Sequence, residues 1–338
     1  MVLAASTSVV WAFAFPLIKL GIPAFGIAPD DTGSKTLFAG VRFAAAGLLV
    51  SFISVVLPTI ARRAEAKRTI HNTQSRPGAD RKGAARPFGE NARRGVLLAL
   101  LLGLVNTALH YFCYYIGLSN LTGSRSAVID SLSSFLLILA ACAVFRDERL
   151  TVRKAAGCVL GFAGILLVNA GGASSELSFM GDGMLLLSAC FSACGGILTR
   201  VVTSRSGRGA GVMAGAATGV SLGFGGVLLI AAGLLMGGRL RAPGAFGAFV
   251  LCCLVAISTY GFSVYNKLIS CNPVGEIAIF NSLIPILGVT FSCLLLGEPL
   301  RPNYAAAGAL VAAGIFVINR RHTGKEKENE NKQNTSAL

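Results

Sequence analysis

Hydrophobic positions along the chain fall into long, nearly unbroken runs that are separated by polar segments. Each run holds about 20 mostly apolar residues, the length that an α-helix needs to cross the hydrocarbon core of a bilayer. The pattern therefore predicts an all-α polytopic membrane protein with ten transmembrane helices. The ten runs cover residues 2–22, 36–57, 95–117, 121–145, 152–170, 180–200, 211–235, 246–268, 274–296 and 302–319.

Two polar segments stand apart from these runs. Residues 58–94 carry many charges and show no apolar periodicity, and residues 321–338 follow the last run as a tail. Both are expected to be solvated and flexible, because they lack the apolar surface that a packed unit needs. The first run, 2–22, differs from a cleaved signal peptide: it lacks a basic start, and Lys19 follows its apolar stretch. We therefore expect a retained first helix.

The composition excludes a soluble protein. Hydrophobic residues make up 54% of the chain and charged residues only 13%, whereas soluble domains carry about 25% charged residues. So few charges do not cover a water-facing surface, and lipid must surround most of the chain. The nine cysteines lie in or at the edges of apolar runs without a CxxC pair, so we expect them to pack rather than to form disulfides or bind a metal.

The charge distribution predicts an orientation. In a soluble protein the net charge of +15 would indicate a nucleic-acid partner. If ten helices start and end in the cytoplasm, however, 23 of the 30 basic residues lie on the cytoplasmic side and four on the other. Basic residues concentrate in cytoplasmic loops, so we expect a multi-pass cell-membrane protein with both termini cytoplasmic. The basic loop 58–94 also fits contact with anionic lipid headgroups, and no nucleic-acid partner is expected.

The two halves of the chain resemble each other. Residues 130–145 and 281–296 share a Ser-Leu pair at equivalent positions, and Tyr114 matches Tyr265 at the same offset of 151 residues. These matches predict a duplication of five spans.

The predicted copies are residues 1–170 and 176–320. Five is an odd number, so the second copy enters the membrane in the opposite orientation, which makes two inverted five-helix repeats. Such a molecule has two nearly equivalent conformations, one open to each side, and therefore suits alternating access.

Several motifs, in this order and spacing, resemble the EamA-like branch of the drug/metabolite transporter superfamily. The motifs are Trp11-x3-Phe15-x3-Lys19, Arg42-Phe43, YYIGLSN at 114–120, F-x-x-E-x-L-T at 145–151, G-x3-G-x2-G at 157–164, and Pro285 followed by Leu296-Gly297-Glu298. One departure is Ser134, where the family often has proline. The resemblance implies a ten-span transporter of small solutes.

We therefore expect a secondary transporter that moves small, amino-acid-like or other organic solutes, in the export direction. The alternative is a non-transporting membrane scaffold or sensor. Neither a P-loop nor an HExxH motif occurs in the sequence, and we expect no enzyme activity, cofactor or metal. The expected partners are a small-molecule solute and membrane lipids. The glycines at 211, 215, 219 and 223 fit close helix packing or a homodimer contact.

Polar residues in the fourth run predict a polar helix face. Ser126, Asp130, Ser133 and Ser134 recur at i, i+4, i+7 and i+8. Asp130 fits a carboxylate that binds a proton or a cationic solute, and it equally fits a structural ion pair. Both interpretations follow because a charged side chain inside a membrane is costly and is therefore found where it is paired or functional. Arg125 diverges from Asp130 by about 140° around the helix and is expected near the membrane interface, where it can snorkel.

The third run carries a second polar face. Asn106, His110 and Tyr114 recur at helical spacing, with Tyr111 beside them. Such a face suits a wet cavity. His110 fits a proton relay or a hydrogen bond to the solute, and it also fits a buried packing histidine.

Two cations and a tryptophan lie inside the first two runs. Lys19 and Arg42 each fit a partner of Asp130, and together with Arg125 they fit a group of cations that gathers an anionic solute. Lys19 also fits interfacial snorkelling, and Arg42 a structural tie. Trp11, the only tryptophan, fits either stacking on the solute or packing.

The repeat offset extends the set to the second copy. Glu276 and Asn281 hold the positions equivalent to Arg125 and Asp130. Glu276 equally fits an ion pair with Lys267. Asp130, His110 and Glu276 are the candidates for proton coupling. The complete predicted cavity set is Trp11, Lys19, Arg42, Asn106, His110, Tyr111, Tyr114, Arg125, Ser126, Asp130, Ser134, Tyr260, Tyr265 and Asn281.

Overall fold

The computed structural model describes residues 2–56, 90–145, 150–169, 178–203, 210–271, 277 and 279–319. All regular structure within these residues is helical. The α-helices are α1 (Val2–Ala24), α2 (Thr32–Ser51), α3 (Glu90–Leu102), α4 (His110–Asn120), α5 (Gly123–Asp130), α6 (Leu132–Val144), α7 (Val152–Asn169), α8 (Met184–Thr203), α9 (Ala210–Leu235), α10 (Ala245–Cys271), α11 (Leu283–Leu296) and α12 (Pro302–Asn319). The predicted tail and residues 58–89 of the predicted loop lie outside the described residues.

Seven helical segments are long and apolar enough to cross a membrane. They coincide with seven of the predicted runs, and the remaining three runs contain α7, α11 and α12. The prediction of an all-α membrane protein is therefore confirmed. The seven segments are Val2–Ala24, Thr32–Ser54, Gly95–Asn120, Gly123–Val144, Phe179–Val202, Gly215–Leu235 and Ala245–Ile269.

Regular α-helix is interrupted inside three of the predicted runs. A turn at Ser131 separates α5 from α6, a π-helical stretch at Gly103–Leu109 joins α3 to α4, and a 3₁₀ turn at Ile279–Ser282 precedes α11. Such interruptions free backbone polar groups within a span, and in membrane proteins they are found where a cavity or a neighbouring helix satisfies those groups.

Small residues bring pairs of helices into close contact. A Cβ atom added to Gly47 of α2 would lie 2.2 Å from the Gly223 nitrogen of α9, and one added to Gly314 of α12 would lie 2.5 Å from the Gly157 oxygen of α7. The glycine stripes therefore serve packing within the chain, as small residues do between membrane helices.

The other helices surround a space between these two pairs. α1 packs on α10 and α11, α8 packs on α4 and α6, and α5 packs on α11. Phe15, Phe38, Phe43 and Tyr115 are fully buried in the largest apolar cluster.

Several connections meet at one end of the helix bundle, which we call the Glu298 face. The Arg241 N–H donates to the Phe25 carbonyl (3.2 Å), and the Ser34 hydroxyl donates to the Arg239 carbonyl (2.8 Å). Glu298 bonds to the start of α5 at the same end. These bonds hold the α1–α2 and α9–α10 connections together.

Candidate functional site

A cavity of about 130 Å³ lies among α1, α2, α4, α5, α6, α8, α10 and α11. Ligand sites are concave and combine apolar walls with a few converging polar groups, and this space, the central cavity, has that character. Ten of the residues predicted from the sequence line it. They are Trp11, Arg42, Asn106, His110, Tyr111, Tyr114, Asp130, Ser134, Tyr265 and Asn281.

Asp130 contributes a carboxylate to the central cavity. It is the last residue of α5, directly before the interruption at Ser131. Within the described part of the chain no cation lies within 4.0 Å of it, so neither Lys19 nor Arg42 forms the ion pair considered above. The carboxylate therefore faces the cavity without a bound counter-charge from the described residues.

Arg42 contributes a cation held in a fixed position. It is 2% exposed, and its Nε donates to the Ser258 hydroxyl (2.8 Å) and to the Leu254 carbonyl (3.2 Å). One terminal nitrogen donates to the Tyr115 hydroxyl (3.0 Å). These acceptors are neutral, so they orient the guanidinium without cancelling its charge.

His110 contributes an imidazole whose orientation is also fixed. Its Nδ1 lies 2.9 Å from the Ser188 carbonyl oxygen and 3.0 Å from the Ser188 hydroxyl. A carbonyl oxygen only accepts, so this contact favours the neutral tautomer with its hydrogen on Nδ1, in which Nε2 is an acceptor. The ring packs edge-to-face on Tyr111, with 4.3 Å between centroids.

Asn281 and Trp11 bring unpaired polar atoms to the cavity wall. The Asn281 amide donates weakly to Ser134 (3.4 Å) and Tyr265 (3.5 Å), and its oxygen Oδ1 is buried without a hydrogen-bond partner among the described residues. The Trp11 indole nitrogen is unpartnered in the same sense. Trp11 packs against Tyr265 at 4.8 Å between centroids. A buried acceptor without a partner costs free energy, which a solute donor would recover.

Four predicted residues lie away from the central cavity. Lys19 and Arg125 line a second space of about 410 Å³ at the Glu298 face, which we call the polar chamber. The Ser126 hydroxyl is buried without a hydrogen-bond partner among the described residues. Tyr260 is 38% exposed and its hydroxyl lies 2.6 Å from that of Ser6. Glu276, which was predicted as a proton-coupling candidate and not as a cavity residue, lies outside the described residues. The chamber is lined by Lys19, Ser119, Asn120, Leu121, Thr122, Arg125, Ser178, Glu298, Arg301 and Tyr304.

The expectation that Arg125 snorkels to the interface is wrong. Its guanidinium is bound to Asp182 through two parallel hydrogen bonds, Nε to Oδ1 (3.0 Å) and Nη2 to Oδ2 (2.9 Å). Both side chains are more than nine-tenths buried. A carboxylate from another helical segment compensates the charge, so the side chain gains nothing by reaching for water.

Sequence reasoning missed the contribution of α8 to the central cavity. Ser192 and Thr199 line it, and Ser188 orients His110. Their spacing of four and seven residues already indicates a shared helix face. Asp182 carried no such signal, because its partner lies 57 residues away in the sequence.

No group of three His, Cys, Asp or Glu side chains in the described part of the chain could hold a metal ion. What the central cavity offers instead is a carboxylate, a guanidinium, an imidazole, hydroxyls and aromatic rings. These groups are of the kind that form ion pairs and hydrogen bonds with small polar molecules.

The sequence matches the EamA-like transporter family over residues 1–170 and 179–320. The chain belongs to this family. Its members are transporters, so the resemblance noted from the motifs is confirmed, and the chain is a multi-pass membrane transporter. A transporter family is consistent with the expectation that the chain is not an enzyme.

Two curated relatives of this EamA-like chain are also named as transport proteins. It is 25% identical over 224 residues to the uncharacterized transporter YvbV of Bacillus subtilis, a match that covers 66% of this chain and 71% of the relative. It is 26% identical over 203 residues to a probable amino-acid metabolite efflux pump of Salmonella typhimurium, covering 58% of this chain and 66% of the relative.

A solved crystal structure shares the fold. It aligns with a TM-score of 0.55 and 15% sequence identity over 93% of this chain and 95% of its own. At this identity the likeness shows the fold alone.

Proposed function

We propose that this EamA-like chain is a secondary transporter that exports small amino-acid-like metabolites across the cell membrane by alternating access. The observation that carries the proposal is the central cavity, where the Arg42 guanidinium and the Asp130 carboxylate line one small space. The first suits a solute carboxylate and the second a solute ammonium group. The efflux pump among the relatives is named for amino-acid metabolites, which supports this substrate class and direction.

The proposed architecture is ten spans in two inverted repeats, 1–170 and 176–320. Helix packing supports it, because contacts recur in pairs: α1 with α10 and α11 corresponds to α8 with α4 and α6. The second and seventh predicted runs pack together, as do the fifth and tenth. The interruption at Ser131 and the 3₁₀ turn that ends at Ser282 are separated by the repeat offset of 151 residues.

The proposed orientation places both termini, the loop 58–94 and the tail 321–338 in the cytoplasm. The distribution of basic residues supports it, with 23 on that side and four on the other. The Glu298 face is then the outer face of the cell membrane.

The proposed coupling groups are Asp130 and His110, with Glu276 as a further candidate from the repeat offset. Asp130 binds either a proton or the solute's amine, so exchange between the two couples solute movement to proton movement. Nε2 of His110 accepts a hydrogen bond from the solute or relays the proton.

The test uses purified full-length protein. Trp11 is the only tryptophan and lines the cavity, so its fluorescence is expected to change when amino acids bind. Flux in proteoliposomes then measures transport. Arg42→Gln and Asp130→Asn are expected to lower flux about tenfold or more, since each removes a charge-assisted bond to the solute.

Matched controls lie outside the central cavity. Arg301→Gln removes a charge at the polar chamber, and Tyr260→Phe removes a hydroxyl at the protein surface; both are expected to leave amino-acid binding unchanged. If wild-type protein shows neither a fluorescence change nor flux with amino acids, organic acids or amines, the transport proposal is wrong. A membrane scaffold or sensor is then favoured.

A further inference from the structure

The start of α5 is bonded to the second half of the chain. The Gly123 N–H donates to Oε1 of Glu298 (2.6 Å), and the Ser124 N–H and hydroxyl donate to Oε2 (3.0 and 2.7 Å). Glu298 follows α11 and lies 175 residues from Gly123. One carboxylate therefore receives three hydrogen bonds at a helix N-terminus, where a negative charge is favoured.

A second bond holds the same short helix from another side. Arg125, one residue beyond Ser124, forms the paired hydrogen bonds with Asp182. Asp182 is itself fixed, because its Oδ2 also accepts from the Ser178 N–H (3.0 Å). The first turn of α5 is thus held between α11 and the segment that precedes α8.

The other end of α5 reaches the central cavity. α5 has eight residues and ends at Asp130, and the turn at Ser131 separates it from α6. At 1.5 Å per residue, α5 spans about 10 Å. It therefore links the polar chamber directly to the carboxylate of the proposed solute site.

α5 lies tightly against α11. A Cβ atom on Gly123 would lie 2.5 Å from the Ser292 hydroxyl oxygen, and one on Gly288 would lie 2.5 Å from the Ala127 Cβ. No path for a solute exists between these helices while they are in contact. A solute path between α5 and α11 requires the two helices to separate, which breaks the bonds of Glu298.

A second partner for Glu298 lies in the same chamber. Lys19 of α1 lines it and lies within electrostatic range of Glu298. When the carboxylate leaves α5, the Lys19 ammonium group remains as a counter-charge, so release does not leave Glu298 uncompensated.

We propose that α5 is the moving gate at the Glu298 face, that Ser131 is its hinge, and that Glu298 and Asp182 are the two latches that hold it closed. The inference rests on the proposed alternating access and adds positioning residues to it. A proton or an amine that binds Asp130 acts on the inner end of α5. Because α5 is short, a shift at that end also moves its first turn and weakens the bonds to Glu298 and Asp182.

The first test measures access to the cavity from the Glu298 face. Ser134→Cys is placed in full-length protein whose native cysteines are alanine, and a membrane-impermeant maleimide is applied at that face. Glu298→Gln and Asp182→Asn are each expected to speed labelling about tenfold, because each removes a charge-assisted hydrogen-bond set from the closed state. The double variant is expected to label faster than either, since the latches are separate.

Arg301→Gln is the matched control, because it removes a charge from the chamber without a bond to α5; its labelling rate is expected to equal that of the parent. If the latch variants lose thermal stability but label at the parental rate, Glu298 and Asp182 only stabilise the fold and the gate proposal is wrong. If labelling accelerates although no solute is transported, the gate stands and the proposed transport function fails.

The second test keeps all native cysteines. Hydrogen exchange of segment 121–130 in the full chain is expected to accelerate in Glu298→Gln and Asp182→Asn but not in Arg301→Gln. A saturating concentration of an amino acid that binds in the fluorescence test is expected to change the exchange rate of the same segment in the wild type. Latches with a purely structural role would not produce this change. Unchanged exchange in both latch variants would contradict the proposal.

Discussion

Arg42 shows why a single residue inside a membrane has a defined task. A buried guanidinium costs free energy unless its N–H groups find acceptors. Ser258, Leu254 and Tyr115 provide them, and all three are neutral, so the positive charge stays available to a solute. The sequence suggested either a structural tie or a solute ligand for Arg42. The observed position is compatible with both roles, because the side chain is bonded to neighbouring helices and also lines the cavity.

Lysine is expected to replace Arg42 poorly. Its single ammonium cannot reproduce the donors that reach three acceptors in different directions. Arg42→Lys is expected to lower flux about tenfold, whereas Tyr115→Phe, which removes one acceptor, is expected to cost about 1 kcal/mol of stability. Flux and thermal unfolding of the two variants measure this, and equal flux in Arg42→Lys and the wild type would contradict it.

Asp31, at the start of α2, makes a pH-dependent contribution to the stability of the folded protein. Its Oδ1 accepts from the Ser34 N–H at 2.8 Å. Burial alone would raise the pKa of Asp31, but the hydrogen bonds from Ser34 and the charge of Lys35 outweigh it and hold the pKa below its ordinary value. A lowered pKa means that the stabilisation is complete above the unfolded pKa, about 4, and is lost as the pH falls through the folded value.

Asp31→Ala is expected to destabilise the protein by about 1 kcal/mol at pH 7, since it removes a helix N-cap. Asp31→Asn keeps the cap and is expected to remove only the pH dependence. Thermal unfolding at neutral pH and near pH 3.5 distinguishes the variants. An Asp31→Asn protein that keeps the full acid-dependent loss would show that another group is responsible.

At the scale of helices, glycine decides how closely two spans approach. α2 and α9 touch along Gly47 and Gly223, and no Cβ atom fits at Gly47. In lipid, apolar contact alone does not drive helices together, and close packing supplies the attraction. The stripe visible in the sequence predicts such contact, but it does not say which helix is the partner.

Gly47→Ala is expected to destabilise the protein by about 1–3 kcal/mol, because the added carbon forces α2 away from α9. Gly95→Ala is the matched control: Gly95 is also helical, a Cβ there meets nothing within 4 Å, and alanine is expected to stabilise the helix by about 0.5–1 kcal/mol. Thermal unfolding in one detergent or lipid measures both. Equal destabilisation by the two substitutions would contradict the packing argument.

At the scale of the whole molecule, charge sets orientation. The connections at the Glu298 face carry few basic residues, whereas the loop 58–94 carries ten. A protease site inserted in 58–94 is expected to be cut only from the cytoplasmic side, and one inserted in 236–244 only from the other side. Cleavage of both sites from the same side would contradict the proposed ten-span topology.

The sequence by itself determined the membrane environment, the helical class, the approximate positions of seven membrane-length helices and the family. These properties are local: a run of about 20 apolar residues forms a membrane helix whatever its neighbours are. Ten of the fourteen predicted site residues also line the central cavity, because polar residues at helical spacing inside a membrane must share a polar surface.

Only the tertiary structure decided which side chains meet. Arg125 and Asp182 are 57 residues apart, and Glu298 and Gly123 are 175 apart, so no spacing rule relates them. Ser126 shares a helix face with Asp130, yet it lies one turn closer to the Glu298 face, away from the cavity. The physical reason is that the order of residues along a helix determines which side chains share a face. Helix packing and the interruption at Ser131 determine how deep each side chain lies and which side chains it contacts.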